Sequence, residues 1–285
     1  MFHKRYDGRL VRSIDPLMKI MPYIMKERTD TMTAYEDTFP CEAMDAYIKE
    51  KAAQGIKMSY MDILIAATVR LIALRPQLNR FIMNGRVYTR PKIWVCFTMH
   101  TTLKNDSEET VVKLCFDGTE SILEISEKIN EAIATERRNS HADNGTDALA
   151  RTLTYIPSPI LKLVVNTLMW MDKHNMLPKA ILEFSPFHTT FYITNLKSLG
   201  INHVHHHVYN FGTTGLFLAM GKEKMIPVVK DGEIVQEKHM GYSLVSDERI
   251  CDGLYFALAL RQLRKIMKNP AVLETKLEEK VEDVR

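Results

Sequence analysis

The apolar and polar positions of the chain follow two periods. From Ile63 to Leu74 nearly every position is apolar, which predicts a helix buried on all sides. Ser59 and Asp62 stand before it at capping-box spacing, and Pro76 ends it. Asn84–Gly85 reads as a hairpin turn, with a β-rich run from Ile93 to Met99 behind it and a further strand from Thr110 to Phe116. Asp117–Gly118 then turns the chain into a helix with Ile122, Ile125, Ile129 and Ile133 on one face. Past residue 189 the period shortens. Strands are predicted at Thr189–Thr194, Leu216–Met220 and Tyr242–Ser246, with a hairpin of Met225–Val229 and Ile234–Glu237 turning at Lys230–Glu233. A last amphipathic helix spans about Leu254–Lys268, carrying Phe256, Leu260, Leu263 and Met267 on one side, with Pro270 after it. Helices and strands mix without strict β-α-β alternation. The expected fold class is α/β, a mixed, largely antiparallel sheet with helices on one face.

Two apolar segments need a further reading. Ile156–Met171 contains Pro157, Pro159, Lys162 and Asn166 and falls short of the ~20 apolar residues of a membrane span, so it reads as a buried or subunit-facing helix. Met18, Met21 and Met25 are spaced like one helix face, so core packing is expected of them. Asn139–Thr146 is a polar loop inside the fold. Residues 1–285 form a single domain in this reading.

Composition narrows the function classes. The 285 residues are 46% apolar and 26% charged, as in an ordinary soluble globular protein. Lys and Arg number 38 against 35 Asp and Glu, a net charge of +3 with no dense basic run, which argues against a nucleic-acid partner. Cys41, Cys96, Cys115 and Cys251 are far apart, so a disulfide framework or a cysteine zinc site is not expected, and a reducing, cytoplasmic location fits. The first residues lack the apolar stretch of a signal peptide, and no membrane insertion is expected.

Two segments carry candidate chemistry. Ser246–Gly253 lies between a strand and the last helix, where sites tend to be built, although a polar turn with Asp252 as helix cap accounts for it equally. The second is the run His203, His205, His206 and His207. In an extended chain His205 and His207 share one face, with His203 in line. A general base, a metal site or a polar interface loop are the readings; no carboxylate or cysteine nearby completes a zinc-like spacing, so no metal is expected. Gly212–Gly215 lacks the spacing of a phosphate loop.

The order Asp247-x-Arg249-x-x-Asp252-Gly253, before a helix that ends at Asn269–Pro270, resembles the signature of the dihydrolipoamide acyltransferase catalytic domains of 2-oxo acid dehydrogenases, whose fold the chloramphenicol acetyltransferases share. Met58–Asn79, Val111–Arg138, Phe191–Leu196 and Leu216–Gly221 resemble further segments of that family in the same order. The resemblance implies a two-layer α/β sandwich forming a homotrimer, with the active site in a channel between subunits. Coenzyme A, as acyl-CoA, would enter from one side and a thiol or hydroxyl acceptor from the other. It assigns Thr194 the hydroxyl that donates to the oxyanion, and Asp252 and Gly253 the structural end of the motif, with Asp252 pairing with an arginine such as Arg9 or Arg12. Asn210 falls where the family often has asparagine. The lipoyl and subunit-binding domains of the multidomain relatives are not expected in this sequence, so a lipoyl group would come from another chain.

The family's general-base histidine is replaced by Glu248. A thiol has a pKa of ~8.5, an imidazole ~6.5 and an ordinary glutamate ~4.3. Proton transfer to glutamate is thus harder by about 3 kcal/mol, roughly a hundredfold in rate, unless burial raises the carboxyl. The expected base is therefore Glu248 in a dry site, or His206 or His207 from the histidine run. The alternative function is a catalytically inactive scaffold or ligand-binding module.

Overall fold

In the computed structural model residues 5–100, 109–138 and 155–285 are described. In chain order the elements are β1 (Arg9–Leu10), α1 (Pro16–Ile24), β2 (Met32–Pro40), α2 (Glu42–Ala53), α3 (Tyr60–Leu74), β3 (Arg80–Met83), β4 (Arg86–Thr89), β5 (Ile93–His100), β6 (Glu109–Phe116), α4 (Ile122–Arg138), α5 (Ser158–Lys173), α6 (Lys179–Phe184), β7 (Phe191–Asn195), β8 (Leu216–Lys230), β9 (Glu233–Asp247) and α7 (Gly253–Met267). Six strands form one sheet in the order β2-β9-β8-β7-β5-β6. The pairs β5/β7 and β7/β8 are parallel and the other three are antiparallel, the mixed sheet that the patterning predicts. Strand side chains alternate between faces. Val95, Phe97, Ile193, Leu218 and Leu244 enter one core with α2, α3, α4 and α7, whereas Tyr192, Phe217 and Val245 face the other way.

Helix α3 is the centre of that core and is buried on every side, as its uninterrupted apolar pattern requires. Its first turn is held by the capping box: the Ser59 amide donates to Asp62 at 2.8 Å and the Asp62 amide to the Ser59 hydroxyl at 3.4 Å. The C-terminal segment covers its outer side. Arg70 donates to the Thr275 carbonyl at 2.6 Å, and the Val281 amide donates to the Ala73 carbonyl at 2.9 Å. A small sheet, β1-β4-β3, sits beside the main one. Its hairpin turns through Asn84 (φ 49°) and Gly85 (φ 71°), left-handed values that suit the Asn-Gly pair. A buried two-pronged pair of Arg80 with Asp283, 2.7 Å on each side, ties this sheet to the C-terminal segment.

The connection from β7 to β8 shapes the second face of the main sheet. Parallel strands cannot be joined by a hairpin, so the chain must travel back along the sheet before β8 begins. Residues 196–215 do so across the face opposite the helices. The Lys222 amide donates to the Ile201 carbonyl at 2.8 Å, the Ser243 hydroxyl donates to the Val204 carbonyl at 2.6 Å, and Val208 packs on Phe217 and Val245. Two glycines admit this loop. A Cβ on Gly221 would lie 2.3 Å from the His203 amide nitrogen, and one on Gly241 would lie 2.4 Å from the His203 ring.

The structure departs from the patterning at three places. Strand β2 and helix α2 were not predicted; β2 lies at the sheet edge, and Phe39 is its one fully buried side chain, so no alternation marks it. The two predicted strands on each side of the Lys230–Glu233 turn are single 15-residue strands, β8 and β9. Their pattern breaks at the register shift between Met220 and Glu223, because the ribbon leaves the buried sheet there and its outer half is solvated. Met18, Met21 and Met25 are only half-buried; α1 exposes Leu17, Ile20 and Ile24, and its one buried side chain is Pro22. Helix α5, expected to be buried or subunit-facing, exposes Ile160, Leu163 and Trp170 in this chain, which leaves the subunit-facing alternative. Among the described residues no helix is long and apolar enough to cross a membrane. The predicted loop Asn139–Thr146 lies outside the described residues.

Gly221→Ala will unseat the loop from the sheet. Limited proteolysis should then cut within residues 201–210 of the variant at protease levels that leave the wild type intact, with circular dichroism confirming that the fold remains; equal resistance in both would refute the close packing.

Candidate active site

Thr194 lies near the end of β7, opposite Ala219 on β8, which in turn faces Ser243 on β9. By alternation Thr194 shares the loop-covered face with Tyr192. Tyr192 stacks on Phe217 at 4.9 Å, and His206 lies flat on the same ring at 4.4 Å and 18°. His206 is therefore over the sheet one side-chain repeat, roughly 7 Å along the strand, from the residue opposite Thr194. Its Nε2 is buried and has no hydrogen-bond partner among the described residues. Burial, and secondarily His207, holds its imidazole below the ordinary histidine pKa and hence neutral.

The other histidines diverge. The Nε2 atoms of His203 and His205 stand 3.3 and 3.7 Å from a carboxylate oxygen of Glu36 on β2, while the exposed His207 meets Tyr209 edge-on at 5.1 Å. The expected alignment of His203 with His205 is thus present, but His207 leaves that line. Among the described residues no group of three or more His, Cys, Asp or Glu could hold a metal ion.

Asn210 pins the far end of the loop. Its side chain accepts from the Thr29 amide at 3.0 Å and donates to Glu27 at 2.8 Å, and its carbonyl accepts from Arg28 at 2.9 Å. Arg28 is buried, its Nε 3.8 Å from Asp247, and desolvation pushes its guanidinium down to about 10. Asp247, which ends β9, is the hub of this cluster. It accepts from Arg249 at 2.8 and 2.7 Å and from the Thr31 hydroxyl at 3.0 Å. Arg249 also donates to the carbonyls of Met25 and Lys26. One buried carboxylate therefore holds two buried arginines, and the turn that follows inherits its shape from them. Arg28 has no motif to mark it in the sequence; Arg249 stands in the signature but without its partner named.

Glu248 projects from that turn and is exposed; its amide donates to the Thr31 carbonyl at 2.9 Å. The dry surroundings that a glutamate base requires are not supplied by the described residues of this chain. Asp252 caps α7, accepting from the Tyr255 amide at 2.8 Å, and Gly253 is exposed with open space where a Cβ would stand. Neither candidate arginine reaches Asp252: Arg9 donates to the carbonyls of Asp283 and Val284, and the exposed Arg12 lines a cleft beside it. The helix-cap role suffices for Asp252 because its carboxylate is spent on the α7 amide.

Thr194 and Glu248 do not meet within one chain. Ser243, level with Thr194, is five residues from Glu248 along β9, about 17 Å, and two strand spacings of ~4.8 Å add a sideways offset. Two histidines of the run lie on the Thr194 face, His206 against Phe217 and His203 against Gly241.

A buried polar chain escaped the sequence reading. His188 is 4% exposed; its Nδ1 meets the Ser185 hydroxyl at 2.8 Å and its Nε2 meets Asp172 at 3.1 Å. Asp172 also accepts from the buried Arg5 at 2.9 Å. This chain fastens α5 and the N-terminal segment to the entry of β7. Burial drives the His188 pKa down, so the ring is neutral, donating to Asp172 and accepting from Ser185.

The comparisons with known proteins agree with this architecture. Residues 186–274, which hold β7, the histidine loop, the β8–β9 ribbon, the Asp247 turn and α7, match the family described as 2-oxoacid dehydrogenases acyltransferase (catalytic domain). A Bacillus subtilis (strain 168) protein, the dihydrolipoyllysine-residue acetyltransferase component of an acetoin cleaving system, is 25% identical over 219 residues, covering 77% of this chain and 44% of that protein. The chain thus spans less than half the length of the curated relative it matches. Among solved structures, a probable dihydrolipoamide acetyltransferase from Listeria monocytogenes 4b F2365 superposes with a TM-score of 0.59 at 16% identity, covering 90% of this chain and 93% of the other. A chloramphenicol acetyltransferase gives 0.53 at 10%, covering 91% and 99%. The fold is that of the chloramphenicol acetyltransferase-like acyltransferases. Within that fold, residues 186–274 are similar to the catalytic domain of the 2-oxoacid dehydrogenase acyltransferases.

Asp247→Ala leaves two buried arginines without their carboxylate and should cost about 3–5 kcal/mol in urea unfolding, whereas Glu248→Gln, at an exposed position, should stay within about 0.5 kcal/mol. Equal effects would contradict the cluster. Because folding holds His188 below its ordinary value, the unfolded chain binds the extra proton first as the pH drops, so stability is complete above about 6.5 and declines as pH falls through the folded pKa. His188→Gln should flatten that slope; an unchanged slope below pH 6.5 would show that the ring is not the source.

Proposed function

We propose that this chain is a coenzyme A-dependent acyltransferase that works as a homotrimer, its site completed where protomers meet. The observation that carries the reading is the placement of the Thr194 hydroxyl on the sheet face covered by His206, a neutral imidazole with a free, buried Nε2. A thiol or hydroxyl acceptor attacks the thioester carbonyl of an acyl-CoA and gives its proton to the base. Thr194 donates to the oxyanion of the tetrahedral intermediate. Collapse breaks the carbon–sulfur bond, and the proton passes to the departing thiolate of coenzyme A. The acceptor is a small molecule or a lipoyl group carried on another chain.

Two features support a site shared between subunits. Thr194 and Glu248 are far apart in one chain, and α5 leaves Ile160, Leu163 and Trp170 exposed for a neighbour to cover. His206 is the favoured base, because it is already partly desolvated on the Thr194 face, whereas Glu248 is in solvent here and would need a neighbouring subunit to bury it. His207, exposed against Tyr209, is the weaker candidate. The alternative reading, an inactive scaffold of the same fold, is favoured by the exposure of Glu248 and by the use of Asp252 as a plain helix cap.

The test is thiol release from acetyl-CoA with dihydrolipoamide and a panel of hydroxyl acceptors, beside a sedimentation measurement of the assembly. Thr194→Ala should cut turnover by ~10²–10³ without dissolving the trimer, and His206→Ala should abolish turnover while Glu248→Gln leaves most of it. Full activity of Thr194→Ala refutes the oxyanion role; acetyl-CoA binding with no turnover for any acceptor establishes the scaffold instead.

A further inference from the structure

Between the N-terminal segment and the C-terminal segment lies a cleft of about 830 Å³, within the size of sites that hold drug- or cofactor-sized ligands. Its charge is one-sided. Arg5, Arg9, Arg12, Arg90, Lys280 and Arg285 line it, against Glu282 as its one acidic lining residue.

Most of these cations have no carboxylate partner among the described residues. Arg5 is committed to Asp7 and Asp172. Arg9 and Lys280, by contrast, donate only to carbonyls, those of Asp283, Val284 and Pro91. Arg90 is the telling member. It is 6% exposed, and its Nη1 is buried without a hydrogen-bond partner among the described residues. Its Nη2 reaches only uncharged acceptors, the carbonyls of Thr189 and Thr213 and the Thr213 hydroxyl, and its guanidinium lies 4.2 Å above the Phe81 ring. Burial pushes its pKa down to about 9; the nearby charges of Asp7 and Asp172 oppose that shift without cancelling it. A buried charge paired only with neutral groups is costly, and the chain bears that cost at the wall of an open cationic cleft.

We infer that this cleft binds a polyanionic phosphate group, of diphosphate type, with the exposed Arg12 and the half-buried Lys280 at the mouth and Arg90 supplying positive potential from the wall. Arginine forks and lysine ammonium groups both suit phosphate oxygens. The cleft lies near the start of β7 and β8, where Arg90 meets Thr189 and Thr213, and so at the opposite end of β7 from Thr194. The site stands apart from the proposed acyl-transfer chemistry, and its existence does not depend on that reading. The same chemistry is offered by the phosphates of coenzyme A and by a free nucleoside diphosphate.

Calorimetric titration of the full chain with inorganic pyrophosphate at fixed ionic strength tests the inference. Saturable binding at one site per chain is expected, weakening as salt rises. Acetate, with one charge, should bind at least tenfold more weakly. Arg12→Gln combined with Lys280→Gln, both outside the core, should weaken pyrophosphate at least tenfold while the thermal transition stays in place. No saturable heat, or an unchanged affinity in the double variant, overturns the site. Displacement of pyrophosphate by coenzyme A would assign the site to the phosphates of that molecule; displacement by ADP alone would assign it to a separate nucleotide, and either result upholds it.

Discussion

The architecture turns on the parallel pairing of β7 with β8. A parallel pair forces its connection to travel the length of the sheet, and here that connection is residues 196–215, laid over the face that the helices leave bare. The loop closes a second, smaller apolar cluster of Tyr192, Val208, Phe217 and Val245, and in doing so carries His206 onto Phe217. At its far end Asn210 and Arg28 join it to Asp247, so the same segment that brings an imidazole to the sheet also touches the turn bearing Glu248. Backbone topology, more than any side-chain preference, decides which histidines lie against the sheet.

The fold was legible wherever one period ruled a long segment. α3, with its capping box and unbroken apolar run, and α4, with isoleucines on one face, are where the spacing puts them. The Asn84–Gly85 and Asp231–Gly232 turns were equally plain, because each has two residues in the left-handed region. Strand β2 was not, since an edge strand that buries one large side chain shows no alternation. The methionines of α1 misled for a related reason: helical spacing says that a face exists, not that this chain covers it.

The site was less legible than the fold. Thr194 and the turn at Asp247–Gly253 could be picked out as candidates because they follow an ordered signature. What holds them could not. Asp247 draws on Arg28 and Thr31, more than two hundred residues away, and Glu36 on edge strand β2 engages two histidines of the 196–215 loop. No local pattern encodes such pairs; they exist only once β2 has docked on β9. Alternation in an extended chain aligned His203 with His205, but Tyr209 took His207 out of that line, a contact set by the loop's path.

The two glycines beneath His203 have an evolutionary consequence. Gly221 and Gly241 sit on neighbouring strands, yet both are kept small by the same residue of a third segment. Neither can gain a side chain while the histidine loop holds its path, and the loop cannot shift without opening space at both. The three positions are thus epistatic: substitutions there are tolerated as a set or not at all. Descent with that loop intact should leave the pair frozen, and a lineage that has re-routed the loop should betray it by losing both glycines together.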